Sequence, residues 1–269
     1  MKTYWWKGSQ YLNLGDEVTQ LVLKNLFNID PVHADLTRAQ FASTGSLLGW
    51  IWETDARLRD SPLHVVGSGF MSSDTVVTPL DFLKIHSVRG YLSKNKLGKL
   101  DSNKILVGDP GLLVPRIINQ LPAVSAPSTK YGVILHHKHA ANQEVLDRFS
   151  HLPVKFLDIR TADLATFAGE MDSCDVIVSQ SLHGLIFADA LNIPNVWLEL
   201  GPIHSGGAFK FYDYFSTIGR EFYRKISFIP QAPDRIDAQI HQPNAKRVAS
   251  ISDQAFRSFE NALSDYNKN

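Results

Sequence analysis

Cysteine is nearly absent from this chain of 269 residues, which has one, Cys174. A single thiol cannot form an intramolecular disulfide, and a fold without disulfides is typical of reducing compartments. Residues 1–16 also lack the apolar core and the cleavage pattern of a secretory signal peptide. We therefore expect a cytoplasmic protein, located in the cytosol or at the cytosolic face of the membrane.

Excess charge and long apolar runs are missing as well. The 27 Lys and Arg residues balance 27 Asp and Glu residues. A net charge of zero gives no electrostatic indication of a nucleic-acid partner. No apolar run approaches the roughly 18 residues that indicate a transmembrane helix, so we expect at most peripheral membrane contact.

What the chain does have is 44% hydrophobic residues and strand-like runs that alternate with helical patterns. This alternation favours an α/β architecture, and the length accommodates two Rossmann-like halves. We predict an N-terminal domain over 1–122 and a C-terminal domain over 129–245, joined by a proline- and serine-containing linker near 119–130. An amphipathic helix over 252–266 is predicted to pack back on the first domain.

The stretch SQSLHG stands between a predicted strand at 175–179 and a predicted helix that follows Ser181. Pro194 ends that helix, and residues 195–200 again look like a buried strand, so the segment is a βαβ unit with parallel strands. Ligands of such sheets bind beyond the carboxyl ends of the strands. SQSLHG is therefore predicted to lie at a binding edge.

Two interpretations of SQSLHG remain open. SQSLHG does not match the nucleophile elbow of a hydrolase, because that turn needs glycines at the positions where this chain has Ser179 and His183. The helix start could bind a phosphate or carboxylate, with Gly184 allowing close approach and a neutral His183 exchanging a proton. Alternatively, Ser181 caps the helix and His183 is a hydrogen-bonded boundary histidine.

Other polar positions can also be interpreted in two ways, as ligand contacts or as ordinary structural residues. Arg89 precedes Gly90 at a predicted strand-to-helix turn, where it could clamp an anion or form a surface salt bridge. In NLGDE, Gly15 could let the backbone approach a substrate while Asp16 binds sugar hydroxyls. Asp16 and Glu17 could equally be ordinary first-turn residues of a helix.

Two further stretches have residues that suit ligand binding. HHKH at 136–139 suggests a metal, but no cysteine or carboxylate cluster nearby in sequence completes a tetrahedral set, so a loop of histidines is the favoured interpretation. The aromatic stretch at 206–220 is consistent with a core-facing helix. Its leading glycines, with Lys210 and Asp213, also suit an ordered ligand loop.

Taken in chain order, seven motifs resemble the polysaccharide pyruvyl transferase family, and most closely its members that modify bacterial exopolysaccharides. The motifs are NLGDE, the Gly45–Ser46 turn with two leucines, GSGF, VRGYLS followed by KLG, VGDPGLL, SQSLHGLIFADALNIP and FKFYDYFSTIGR. They extend over about residues 5 to 220, most of the chain. The resemblance implies a GT-B-like fold, in which two Rossmann-like domains face each other across a cleft.

The resemblance also implies transfer of pyruvate from phosphoenolpyruvate onto two hydroxyls of one sugar, forming a cyclic ketal. It implies catalytic roles for His183 and Arg89. Because phosphate leaves from a carbon centre and cationic side chains can hold it, we expect no required metal or cofactor. The implied donor-binding residues are Ser181, Leu182, Gly184, Arg89 and Lys210. The implied acceptor or cleft-lining residues are Gly15, Asp16, Glu17, Gly45, Ser46, Gly67, Ser68, Gly69, Asp109 and Asp213.

The implied acceptor is a glycan, for instance a lipid-linked oligosaccharide at the cytosolic membrane face. Two other functions are compatible with the same two-domain cleft. A nucleotide-sugar glycosyltransferase would use the helix start for a diphosphate. A glycan-binding protein without catalytic activity would bind the sugar alone.

Overall fold

The structure is a computed structural model that describes residues 1–8, 11–53, 59, 61–98, 104–118, 129–201 and 206–268. Most of the predicted linker, 119–128, lies outside the described residues. We call residues 1–118 the N-terminal half and residues 129–268 the C-terminal half.

In the described residues, the strands form two parallel sheets of five strands each and a short parallel pair, which an isolated bridge from Ser68 to Val88 joins to the segment after the fourth strand. In chain order they are β1 (Lys2–Tyr4), β2 (Val32–His33), β3 (Phe41–Ala42), β4 (Leu63–Val65), β5 (Leu83–Ile85), β6 (Ser87–Val88), β7 (Leu106–Val107), β8 (Thr129–Ile134), β9 (Val154–Phe156), β10 (Cys174–Ser179), β11 (Asn195–Leu198) and β12 (Lys225–Ile226).

Helices connect many of the successive strands in both halves, as is usual for parallel pairing. They are α1 (Leu14–Phe27), α2 (Leu48–Glu53), α3 (Tyr91–Leu97), α4 (Val114–Ile117), α5 (Gln143–Asp147), α6 (Leu164–Asp172), α7 (Leu182–Ala190), α8 (Phe209–Ile218), α9 (Asp234–Asp237) and α10 (Ala245–Tyr266). A 3-10 helix, Pro110–Leu113, precedes α4.

The two sheets have the same strand order. The N-terminal sheet runs β2-β1-β3-β4-β5, and the C-terminal sheet runs β9-β8-β10-β11-β12 when read from its other edge. Each therefore has a switch point where the chain reverses direction across the sheet, between β1 and β3 and between β8 and β10. In doubly wound sheets, ligands bind outside the carboxyl ends of the strands at such points.

The predicted α/β architecture, with two Rossmann-like halves in a GT-B-like arrangement, is confirmed. The apolar side chains explain how the halves are held together. A single core cluster runs from Leu14 and Phe41 of the N-terminal half to Ile186 and Phe187 of α7. The 3-10 helix packs against α7 so closely that a Cβ on Gly111 would lie 2.8 Å from Ile186.

Helix α10 begins at Ala245, seven residues before the predicted start at 252. The prediction began too late because it followed the apolar periodicity and overlooked Asn244, whose side chain accepts a hydrogen bond from Arg247 N at 3.1 Å and caps the helix. Phe259 of α10 contacts Phe27 and Phe41, so this helix covers the N-terminal sheet.

Candidate active site

A cavity of about 340 Å³ lies where the carboxyl ends of β1 and β3 face those of β8 and β10. It brings together residues from both sheet switch points that are far apart in sequence. The predicted site residues that line it are Asp16, Gly45, Ser46, Arg89, Ser181, Leu182, His183 and Lys210. Ligand-sized clefts have volumes of roughly 300–1,000 Å³, so this cavity is at the small end of that range.

Helix α7 directs its first turn at the cavity. The β-branched run of β10 ends at Ser179, and Ser181 is the N-cap residue by position. Within the described part of the chain, its side chain makes no capping hydrogen bond, contrary to one of the two interpretations of SQSLHG. The amides of this first turn are therefore left for another acceptor, and the helix dipole favours an anion there.

His183 is buried at this helix start and packs directly on α1. A Cβ added to Gly15 would lie 2.1 Å from His183 Nδ1, so only glycine leaves room for the ring. Burial, with smaller contributions from Lys210 and Arg89, lowers the pKa of His183 to about 3. The imidazole is therefore neutral at physiological pH.

Asp109 lies behind the imidazole, with Oδ1 3.8 Å from His183 Nε2. This separation is too long for a hydrogen bond, and Nε2 is buried without a hydrogen-bond partner among the described residues. Burial raises the pKa of Asp109 to about 6, although its carboxylate accepts a 2.8 Å hydrogen bond from Gly111 N. Asp109 is thus a buried carboxylate next to His183 and does not line the cavity.

Lys210 and Asp16 face the cavity, and burial shifts their pKa values in opposite directions. Burial and the nearby Arg89 charge lower the pKa of Lys210 to about 7. Burial raises the pKa of Asp16 to about 7, against the opposing effect of Lys210. No described residue accepts a hydrogen bond from Lys210 Nζ, so its ammonium group is available to an anionic ligand.

Arg89 lies in a hydrogen-bond network that uses most of the N–H donors of its guanidinium group. Its Nε donates to Asp213 Oδ2 at 3.0 Å, its Nη2 to the carbonyl of Phe70 at 2.7 Å, and its Nη1 to Ser46 Oγ at 2.9 Å. Neither member of the Arg89–Asp213 ion pair is exposed beyond 1%. The surface salt bridge considered from sequence is therefore a buried one, and one Nη1 hydrogen remains for a ligand.

The predicted glycine-rich turn 67–69 lies behind the cavity and supports its wall. Ser68 Oγ donates to the carbonyl of Gly45 at 2.9 Å and accepts from Leu47 N at 3.1 Å. A Cβ on Gly69 would lie 2.4 Å from the Arg89 guanidinium carbon. Gly67 adopts φ 72°, in the left-handed region that favours glycine.

Two other predicted residues have surroundings different from those expected. Gly184 permits a close approach, but to Ser179, since a Cβ would lie 2.3 Å from that hydroxyl oxygen. Glu17 is buried in α1 and accepts a hydrogen bond from Gln20. Their packing explains these residue types without a ligand.

Aromatic residues at the cavity were missed in the sequence analysis. Trp6, Tyr11 and Trp50 line it together with His137, whose ring lies 5.0 Å from that of Tyr11. The pair Trp5–Trp6 carried a usable signal, because successive residues of an extended segment point to opposite sides. Trp5 is buried, so Trp6 necessarily faces outward.

The histidines of HHKH form a turn after β8, tied to SQSLHG through Gln180. His136 N donates to Gln180 Oε1 at 3.1 Å, and the side-chain amide of Gln180 also contacts His139 Nδ1. Within the described part of the chain, no group of three or more His, Cys, Asp or Glu side chains is arranged to hold a metal. Among the same residues, no helix is both long enough and apolar enough to cross a membrane.

Comparison with known families gives one match over most of the chain. The model of the family described as polysaccharide pyruvyl transferase matches residues 13–202. This segment includes NLGDE, Arg89 and SQSLHG, and ends before Lys210.

Two curated relatives are similar in sequence. The uncharacterized protein L143 of Acanthamoeba polyphaga mimivirus is 35% identical over 167 residues, which are 60% of this chain and 57% of that protein. The succinoglycan biosynthesis protein ExoV of Rhizobium meliloti (strain 1021) is 25% identical over 229 residues, 81% of this chain and 65% of that protein. The chain thus spans less than two thirds of the length of either relative.

Among solved structures, UDP-GlcNAc 2-epimerase from Methanocaldococcus jannaschii aligns with a TM-score of 0.45 and 11% sequence identity. The alignment covers 91% of this chain and 82% of the epimerase chain.

Proposed function

The chain belongs to the polysaccharide pyruvyl transferase family, and we propose that it transfers pyruvate from phosphoenolpyruvate onto two hydroxyls of one sugar as a cyclic ketal. The observation that carries this proposal is the single cavity in which Lys210, Asp16 and His183 meet the start of α7. A cation, an open helix start and two groups able to move protons are what this reaction requires.

The donor carries a phosphate and a carboxylate, and the cavity offers separate groups for these anions. Lys210 supplies a cationic group that has no hydrogen-bond partner among the described residues, and the first turn of α7 supplies backbone amides. The remaining Nη1 hydrogen of Arg89 adds a directed donor. We infer that Arg89 mainly shapes the site through its network, whereas Lys210 and α7 bind the anion.

The reaction itself moves two protons and releases one phosphate. The oxygen of the first sugar hydroxyl adds to the central enol carbon and the hydroxyl gives up its proton, while the methylene carbon gains a proton and becomes a methyl group. Phosphate then leaves as the second hydroxyl attacks the same carbon, and the second hydroxyl proton is lost to phosphate or solvent. The protein must therefore supply an acid and a base at one reacting centre.

His183 and Asp16 are the groups we assign to this proton transfer. Environments that move the pKa values of two neighbouring groups far apart are typical of acid and base assignments. Asp16, with its raised pKa, can present a proton near neutral pH, and the neutral imidazole can accept one. Because Nε2 is buried toward Asp109, Nδ1 is the nitrogen we assign to the cavity.

The partners and location follow from the same proposal. The acceptor is a glycan precursor, such as a lipid-linked oligosaccharide at the cytosolic membrane face, and contact with the membrane is peripheral. Phosphoenolpyruvate is a co-substrate, and we propose that no metal or other cofactor is required. The cationic side chain and helix dipole can stabilise the leaving phosphate instead.

The test is to incubate the protein with phosphoenolpyruvate and oligosaccharides from hydrolysed succinoglycan, and then to weigh the products. Gain of a pyruvyl group with equimolar phosphate release supports the proposal. Addition of a hexose only when a nucleotide sugar is supplied would identify a glycosyltransferase instead. Saccharide binding without any product would identify a glycan-binding protein.

Two controls make this assay specific. Omitting phosphoenolpyruvate must abolish the pyruvylated product. An Asp253→Asn variant must retain full activity, because Asp253 is an exposed residue paired with Arg116 and lies outside the cavity.

A further inference from the structure

Two tryptophan side chains are exposed at the cavity, in a protein whose other three tryptophans are buried or half-buried. Trp6 is 46% exposed and Trp50 is 38% exposed, and both line the cavity. Their ring centroids are 5.3 Å apart with an angle of 40° between the planes. They form a shallow aromatic surface beside Asp16 and Lys210.

Both tryptophans are placed by elements that reach the switch point of the N-terminal sheet. Trp6 follows β1, and Trp50 lies in α2, which begins just after the Gly45–Ser46 turn. Their sequence neighbours differ: Trp5 is buried, and Trp52 donates its indole N–H to the carbonyl of Thr78 at 2.9 Å. The exposed pair is therefore not simply part of the core.

Physical chemistry indicates which substrate these rings suit. The face of an aromatic ring carries negative quadrupolar charge and is unfavourable for an anion such as phosphoenolpyruvate. A pyranose ring has an apolar face of C–H groups, weakly positive, and an edge of hydroxyls. The aromatic pair matches that face, and the neighbouring Asp16 carboxyl matches hydroxyl groups.

We propose that Trp6 and Trp50 form the acceptor platform, which stacks on one pyranose ring and turns its hydroxyl edge toward Asp16 and His183. This inference rests on the proposed function, since it names the place of the sugar in that same site. Tyr11 and His137, in contact across the two halves, border the side of the cavity formed by the C-terminal half.

The experiment measures saccharide binding without the donor, so that it does not depend on turnover. The probes are cellotetraose and the succinoglycan oligosaccharides of the transfer assay, titrated by ligand-detected NMR. Trp6→Ala and Trp50→Ala should each weaken binding about three- to tenfold, and the double variant by more than tenfold. Trp6→Tyr should restore much of the loss because it keeps an aromatic face.

The control is Tyr223→Ala, which removes an aromatic side chain that is 72% exposed and lies outside the cavity. It should leave saccharide affinity unchanged. Circular dichroism of each variant separates loss of binding from loss of folding, which is not expected for two exposed residues.

The outcomes also separate this inference from the proposed function. If saccharide binding depends on both tryptophans but the protein never transfers pyruvate, the acceptor platform is supported and the proposed transferase activity is contradicted. If the double variant transfers pyruvate with an unchanged acceptor KM, the acceptor platform is contradicted and the proposed transferase activity is supported. No saccharide binding by the unaltered protein, or equal binding by the double variant, overturns the platform.

Discussion

Arg89 and Asp213, which are 124 residues apart in sequence, form a buried ion pair that joins the two halves of the chain. Asp213 also accepts hydrogen bonds from Ser93 N at 2.7 Å and Ser93 Oγ at 2.6 Å. Its carboxylate thereby caps α3, whose own N-cap, Gly90, has no side chain. Because Lys210 lies one turn earlier on α8, this contact also sets the position of the cavity cation.

The first prediction concerns this ion pair. Asp213→Asn leaves the Arg89 charge buried without a carboxylate, so we expect a loss of about 3 kcal/mol or more in the free energy of unfolding. Urea denaturation measures it. Asp253→Asn is the matched control, because the exposed Arg116–Asp253 pair should contribute less than about 1 kcal/mol. Equal small losses in both variants would mean that the buried pair does not hold the halves together.

The second prediction concerns His183. His183→Gln should fold normally and bind phosphoenolpyruvate, while turnover falls by roughly 10²- to 10⁴-fold, as is typical when a general acid or base is lost. Donor affinity from calorimetry and turnover from phosphate release distinguish binding from chemistry. Turnover within a few-fold of the unaltered protein would leave His183 as packing, and Asp16, His136 and His137 as the remaining candidates for the proton carrier.

The third prediction uses the contact between Gly15 and His183. Gly15→Ala places a methyl group against the imidazole and should displace it, so turnover should fall about as far as in His183→Gln. In a His183→Ala background the same methyl group should cost little further activity, as expected for two coupled sites. Gly49→Ala is the control, since its nearest new contact is an ordinary 3.4 Å to Thr75. Additive losses would show that Gly15 acts independently of His183.

The fourth prediction concerns pH. Lys210 loses its charge and Asp16 gains one as pH rises through about 7, and both changes disfavour an anionic donor. The KM for phosphoenolpyruvate should therefore rise on the alkaline side. Lys210→Arg keeps the cation and should weaken this rise, as should Asp16→Asn, whereas Lys155→Arg, at a surface pair, should not. An unchanged alkaline rise in both cavity variants would exclude these groups as its cause.

The fifth prediction concerns divalent metal ions. Activity should survive treatment with a chelator, because Lys210 and the start of α7 can neutralise the leaving phosphate. Turnover is compared before and after dialysis against EDTA, with zinc or magnesium added back. Loss of activity that either metal restores would contradict this expectation and would direct attention to His136, His137 and His139.

Much of the local structure was accessible from the sequence. The β-branched run of β10, the apolar spacing of α7 and the stop at Pro194 identify a βαβ unit because periodicity and proline act within a few residues. The same reasoning placed SQSLHG at a sheet edge and excluded a nucleophile elbow. The same reasoning underestimated the length of α10, because a capping residue such as Asn244 is not part of the apolar pattern.

The composition of the site required the tertiary structure. The sequence shows Arg89, Asp213 and Lys210 as separate charged residues, and it could not decide between a surface salt bridge and a ligand contact for Arg89. Packing of α8 against α3 decided that Arg89 is buried with Asp213 and that Lys210 lines the cavity without a hydrogen-bond partner among the described residues.

The sequence by itself determined the parallel α/β architecture, the helix start at SQSLHG and the family motifs, since these depend on neighbouring residues. Only the tertiary structure decided that His183 packs on Gly15, that Asp109 stands behind it, and that Trp6 and Trp50 face the same cavity. The physical reason is that the two contacts of His183 join opposite halves, and that Trp6 and Trp50 come from separate elements of the N-terminal half. The distances and burial of the site residues, and hence the shifted pKa values, are set by how the two sheets face each other.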